Sequence, residues 1–382
     1  HRMVVWKQME KVVLFILSFL FFCFFFLDFM PRHYGYNPFE VQDGAIRQKL
    51  SVAQFNKTST VFIPKMKRYR ESRTEKERQT SIINLGRMDL IVAANNHPLP
   101  GRQIKGRAFD MCEGPKSENI CVPKFIRMET RLKIVPKYKI MTCTIQKSMS
   151  TVMTAILCFL YDEQAFLNAG RELAKECMQV RFCQNKNEMA SVANLRIKYG
   201  ISDENMQKKW KFTMISRDPV DRFLSGFVDK CIRYPFLKGY CNGCGRNMTC
   251  FLLTEYDRIQ RQVEGGKLFK SFEDRHFFPQ NWRCDLDRFF DKYSFIRYSS
   301  DPSKSLMKDL IPLLREQHVP ESSISLITSQ LTQNRTVHST VQSDARIFLE
   351  NRLRSSPFLM EYLIRMFYYD FKLFNYQFPE GF

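Results

Sequence analysis

The longest apolar stretch comes first. Residues 12–27 read VVLFILSFLFFCFFFL, with Ser18 the only clearly polar position. Extended to Met30, the run would be about 24–29 Å long as a helix, enough for a thin bilayer. It ends in Phe-Leu-Asp-Phe-Met-Pro rather than in the small residues of a cleavage site, so residues 12–30 read as an uncleaved anchor, not a signal peptide. Arg2, Lys7 and Lys11 precede it, which leaves residues 1–11 cytoplasmic and the rest lumenal. Residues 31–81 lack apolar periodicity and read as a stem. The basic stretch from Lys65 to Arg78 is a solvated face of it rather than an RNA-binding stripe. Apolar density rises from about Ile82, and one folded domain is expected over 82–382.

Two stretches of that domain read as a buried strand running into a helix. Tyr138–Thr144 is the first strand, and a helix opens near Thr151 with Val152, Ala155, Ile156, Phe159 and Leu160 on one stripe. Phe212–Ser216 is the second. After it Asp218 suits an N-cap, Pro219 the first helical position, and Val220, Phe223, Leu224 and Phe227 follow at i, i+3, i+4, i+7. Strand, helix, strand and helix in that order predict an α/β domain: a parallel sheet flanked by helices. Helices are also expected over 344–354 and 357–374, and residues 161–210 and 300–340 read as mainly helical.

The 382 residues include 59 Lys and Arg against 39 Asp and Glu, a formal charge of +20. Without the first thirty residues the balance is 56 to 37, or +19. That surplus points to anionic partners, and lumenal topology excludes nucleic acid while leaving acidic glycans and nucleotide-type donors. Apolar residues at 44% and charged residues at 26% exclude a chain disordered throughout and a disulfide-only scaffold. Of the 12 Cys, eleven follow the anchor, where disulfides form. Disulfides are expected over zinc at Cys241-x-x-Cys244, because no second Cys or His pair stands at finger spacing. Sequons at Asn56, Asn247 and Asn334 agree with a lumenal domain.

The loop Gln146-Lys147-Ser148-Met149-Ser150-Thr151 joins the first strand to its helix. Free N–H groups and the helix dipole favour an anion there, and Lys147 with Ser148, Ser150 and Thr151 adds charge and donors. An ordinary Ser/Thr helix start with an exposed lysine has the same appearance. The loop is no Walker A motif, since it has no glycine, and that excludes a lumenal nucleotide kinase. At the second junction Arg217 and Ser225 lie roughly 10 Å apart along the helix, a span that a bound phosphate could bridge. Spacing alone equally allows Ser225 to be a surface serine. Arg222 either supports this second site or pairs with Asp218.

Cys143-Thr-Ile-Gln-Lys-Ser-Met-Ser-Thr151 resembles the 5′-phosphosulfate loop of the Golgi carbohydrate sulfotransferases. Arg217-Asp-Pro-Val-Asp-Arg-Phe-Leu-Ser-Gly-Phe227 resembles their 3′-phosphate motif, R-D-P-x-x-R-x-x-S-x-F. Arg275-His-Phe-Phe-Pro-Gln280 resembles the H-x-x-P-Q stretch of the chondroitin and HNK-1 type members. The similarity covers about residues 136–300, and its divergent style is nematode-like. Gln146 departs from the family, which usually has proline before the lysine.

The resemblance implies 3′-phosphoadenosine 5′-phosphosulfate (PAPS) as donor, a P-loop-like core to hold it, and no metal. Lys147, Ser148, Ser150 and Thr151 would hold the 5′-phosphosulfate, Arg217 and Ser225 the 3′-phosphate. Lys147 would also stabilise the leaving oxygen, and His276 would take the acceptor's proton. The expected protein is a single-span type II Golgi enzyme that sulfates an acidic glycan, chondroitin at a 4-hydroxyl first among them. Heparan sulfate or N-glycan termini are the other acceptors. A non-enzymatic, membrane-anchored glycan-binding protein is the competing class.

Overall fold

A computed structural model describes residues 75–382, apart from residues 116, 118–119, 129, 177–180, 236–239, 266–271, 299–301 and 334–342. The expected anchor at 12–30, most of the stem, and the sequons at Asn56 and Asn334 lie outside the described residues. Among the described residues no helix is long and apolar enough to cross a membrane.

Five short strands form one sheet: β1 (Leu132–Val135), β2 (Ile140–Cys143), β3 (Glu188–Met189), β4 (Lys211–Arg217) and β5 (Tyr293–Tyr298), in the order β3-β1-β2-β4-β5. The two strands read from the sequence are its centre. β2 and β4 are parallel, with Ile140 opposite Lys211 and Cys143 opposite Met214, and β5 continues the parallel run beside β4. The sheet is not parallel throughout, which corrects the expectation. β1 runs antiparallel to both β2 and β3. Its connection to β2 is only the turn Pro136–Tyr138 and Lys139, far too short for the crossover that parallel strands need. That turn also takes Tyr138 out of the expected strand.

The sheet is covered on both faces, so β2 is buried at every position and β4 at all but Lys211. One face packs Ile140, Ile215 and Ile296 against the Ser150–Tyr161 helix and the helices Pro302–Glu316 and Glu321–Gln333. The other face packs Met141, Phe212 and Met214 on Val192, Leu195, Met206 and Leu286. A third cluster joins the helices Pro219–Phe227, Met248–Gly265, Asp344–Arg354 and Pro357–Leu373. In it Phe223, Phe227, Phe251 and Phe277 form a connected ring stack. Each such ring contributes about 1.5–3 kcal/mol on burial.

The region 161–210 departs from the expected mainly helical stretch. Its described residues contain three short α-helices, Glu163–Asn168, Val192–Tyr199 and Asp203–Lys209, separated by turns, by the 3-10 turn Leu173–Lys175 and by β3. The C-terminal helices fall as read, at Asp344–Arg354 and Pro357–Leu373.

Among the described residues five disulfides pair Cys112–Cys121, Cys143–Cys284, Cys158–Cys183, Cys231–Cys241 and Cys244–Cys250. Cys241 and Cys244 thus belong to different bridges, which uses the thiols that a zinc site would need. Cys177 lies outside the described residues. The Cys143–Cys284 bridge ties the end of β2 to a segment 141 residues away. We expect the double substitution Cys143→Ser, Cys284→Ser to lower the unfolding free energy by about 2–5 kcal/mol. Urea denaturation of the oxidised protein checks it, and an unchanged midpoint would contradict the bracing role.

Candidate functional site

The loop after β2 makes a tight reversal without glycine. Ser148 N–H closes a turn on the Ile145 carbonyl at 3.2 Å, and Lys147 and Met149 both take left-handed backbone angles, φ 69° and 54°. Two such non-glycine residues cost roughly 1–3 kcal/mol each, so the surroundings must impose the shape. Two arginines do so. Arg217 donates to the Lys147 carbonyl at 2.9 Å, and Arg222 Nε donates to the Gln146 carbonyl at 3.2 Å. The helix then begins at Ser150 with no side chain capping its first turn, so its N–H groups stay available to an anion.

Arg217 ends β4, is 4% exposed, and lies 4.8 Å over the Tyr298 ring. Asp218 caps the following helix by accepting from Asp221 N–H at 3.0 Å, with Pro219 at the first position, as the sequence predicts. That role commits Asp218, and Arg222 turns instead to the loop. Burial pushes the Arg217 guanidinium below its ordinary value and that of Arg222 down to about 10, although Asp370 partly offsets the latter. Arg217 Nε and one terminal nitrogen of Arg222 are buried without a hydrogen-bond partner. Unsatisfied donors of this kind cost about 1–3 kcal/mol each, which suits the pair to an anionic ligand.

Gln280 fastens the two junctions together. Its Oε1 accepts from Arg217 N–H at 3.0 Å and from the Ser148 hydroxyl at 3.1 Å, while its Nε2 donates to the Arg217 carbonyl at 2.8 Å. Asp370 on the Pro357–Leu373 helix accepts in turn from Gln280 N–H at 2.7 Å and Asn281 N–H at 2.9 Å.

The Lys147 side chain, 11% exposed, pairs with the Asp229 carboxylate, which Lys230 and Arg233 also approach at 2.9 and 3.4 Å. Asp229 and Lys230 belong to the π-helical turn Val228–Ile232 that extends the Pro219–Phe227 helix, and Arg233 is the residue that closes it. Such turns are frequent at functional sites. Burial pushes the Lys147 ammonium down to about 7; Asp229 pulls it up, and Lys230 and Arg233 oppose that pull.

The sequence-predicted residues therefore meet in part. Lys147, Ser148, Arg217 and Arg222 form one bonded group. Ser150 and Thr151 stand half-buried on the first turn of the helix, and Ser225 is buried within Pro219–Phe227. Ser225 is therefore not a surface serine: it and Arg222 are buried, and Asp221 is the partly exposed residue of that helix. His276 is buried on the Phe272–Phe277 helix. The ring of the adjacent Phe277 lies so close to Gly226, on the helix that carries Ser225, that a Cβ there would stand 2.6 Å from it. Asn247 uses its side-chain oxygen to cap Cys250 N–H at 2.9 Å.

Asp229, Asp370 and Tyr298 were missed, and Gln280 was noticed without its role. Asp370 carried a signal, a lone acid within the apolar run FYYDF. Lys147 yields a test of its surroundings. The unfolded side chain holds its proton to about 10.4 but the folded one only to about 7, so its share of stability rises as pH climbs between those values. Lys147→Met should remove that rise. Urea midpoints of both proteins at low and high pH within that window will show wild type gaining on the variant; a constant gap would refute it.

A cationic, glycine-free loop, an arginine-bearing second junction and a helix N-terminus can together hold a ligand with two anionic groups. The sulfotransferase family matches residues 130–377. An uncharacterized protein of Caenorhabditis elegans is 44% identical over 312 residues, covering 81% of this chain and 86% of its own. The carbohydrate sulfotransferase chst-1 of the same nematode is 33% identical over 271 residues, covering 69% of this chain and 80% of its own. No solved structure matches. On the extent of the family match and the relatives' coverage, the chain belongs to the sulfotransferase family.

Proposed function

We propose that the protein transfers a sulfuryl group from PAPS to a hydroxyl of a glycan. The carrying observation is the join between the two junctions. Arg217, with a buried unpartnered Nε, bonds the carbonyl of Lys147, whose ammonium is paired with Asp229. Two anion sites fixed to one another suit a donor with a 3′-phosphate at one end and a phosphosulfate at the other. Lys147, Ser148, Ser150 and Thr151 hold the phosphosulfate, and Arg217 and Ser225 hold the 3′-phosphate.

In the transfer, the acceptor oxygen forms a bond to sulfur as the bond from sulfur to the 5′-phosphate oxygen breaks. The acceptor's proton passes to His276, and the Lys147 ammonium neutralises the charge growing on the leaving oxygen. The bis-phosphate nucleotide PAP departs. The +20 charge suits an acidic acceptor, and the stretch around His276 favours chondroitin sulfated at a 4-hydroxyl. The setting is the Golgi lumen, with the chain anchored through residues 12–30 as a type II protein.

The test is incubation of the full chain with sulfur-35-labelled PAPS and desulfated chondroitin, heparan or glycoprotein acceptors. Label should enter a glycan, chondroitin most. Lys147→Ala should abolish it, and His276→Ala should lower kcat by about 10²–10⁴-fold. A folded wild-type chain that labels no acceptor would instead favour a non-catalytic glycan-binding protein.

A further inference from the structure

Nothing in the reaction itself calls for Asp229, yet its carboxylate is buried and pairs with the Lys147 ammonium. We propose that Asp229 is a positioning residue that stands in for the donor. It holds the Lys147 side chain protonated and directed within the loop until the anionic phosphosulfate takes its place. The inference rests on the PAPS reading above.

Three observations carry it. A carboxylate offers the ammonium the same kind of acceptor, an anionic oxygen, as a phosphosulfate does, so one can replace the other without reorienting the lysine. Asp229 also keeps other cations when Lys147 leaves, because Lys230 Nζ is 2.9 Å and an Arg233 nitrogen 3.4 Å from its oxygens. An acid with a single partner would be stranded by the exchange, at several kcal/mol. This one is not. The turn is also fixed from outside, since Asn84 Nδ2 donates to the Arg233 carbonyl at 2.9 Å.

The charged groups described around the ammonium are Asp229 and Lys230 on the turn and Arg233 just after it, while Arg217, from β4, engages the Lys147 carbonyl. With Asp229 neutralised, burial and two neighbouring cations all oppose the charge on Lys147. With Lys230 neutralised, Asp229 serves Lys147 more fully. The two changes therefore act in opposite directions on the same proton.

The experiment uses the full chain, measuring kcat/KM for PAPS against pH and the binding of unlabelled PAP by calorimetry about one pH unit below and above 7. In Asp229→Asn the alkaline fall of kcat/KM should move down by about one pH unit, a tenfold loss on that limb. PAP should bind more tightly than to wild type on the acid side, where no carboxylate competes, and more weakly on the alkaline side. In Lys230→Gln the alkaline fall should move up, a readout that stands even where Asp229→Asn does not fold. A uniform loss at every pH in Asp229→Asn, or an unmoved limb in Lys230→Gln, would overturn the proposal and leave the pair a structural brace. A wild-type chain that binds no PAP would overturn the donor reading itself.

Discussion

Positive charge buried at the carboxyl ends of β2 and β4 is the constraint on which the site depends. Lys147, Arg217 and Arg222 are almost fully withdrawn from water, and burial lowers the pKa of each. Removing such groups from water costs several kcal/mol apiece unless partners replace the solvent. The partners supplied are modest: two loop carbonyls, Asp229 beside the lysine, and the more remote Asp370. A doubly anionic ligand would supply what is short. The same bonds that partly satisfy the arginines force Lys147 and Met149 into left-handed backbone, so one interaction both shapes the loop and leaves it electrostatically unfinished.

The parts legible in the sequence were those decided within about ten residues. Asp218-Pro219 announces its helix through local capping chemistry, and the structure uses both residues as read. The loop lies between a strand and a helix because its flanking apolar runs have different periods. The antiparallel strands were not legible. β1 is four residues long and buried throughout, so it shows no alternation, and β3 has only two residues. Their pairing follows from a short turn and from partners distant in the chain.

Within the site the same division holds. Lys147 and Arg217 stand out because they lie just before helix starts, and Ser225 only because the stretch from Arg217 resembles a family motif. Asp229 looks from sequence like another polar residue after an apolar stripe, and only the π-helical turn brings it to Lys147. Gln280 has no local role at all. Its meaning comes from bridging residues 63 and 132 positions away.

The Asp370 carboxylate bears on the order in which the molecule is made. It secures Gln280, which secures Ser148 and Arg217, yet it is translated long after every residue that it helps to hold. While the ribosome is still adding residues before 370, the loop and both arginines have already been made without their brace. Competence to bind a nucleotide donor is therefore a late event of biosynthesis. A chain cut short before residue 370 would therefore keep every residue of the loop and still lack the brace that holds it.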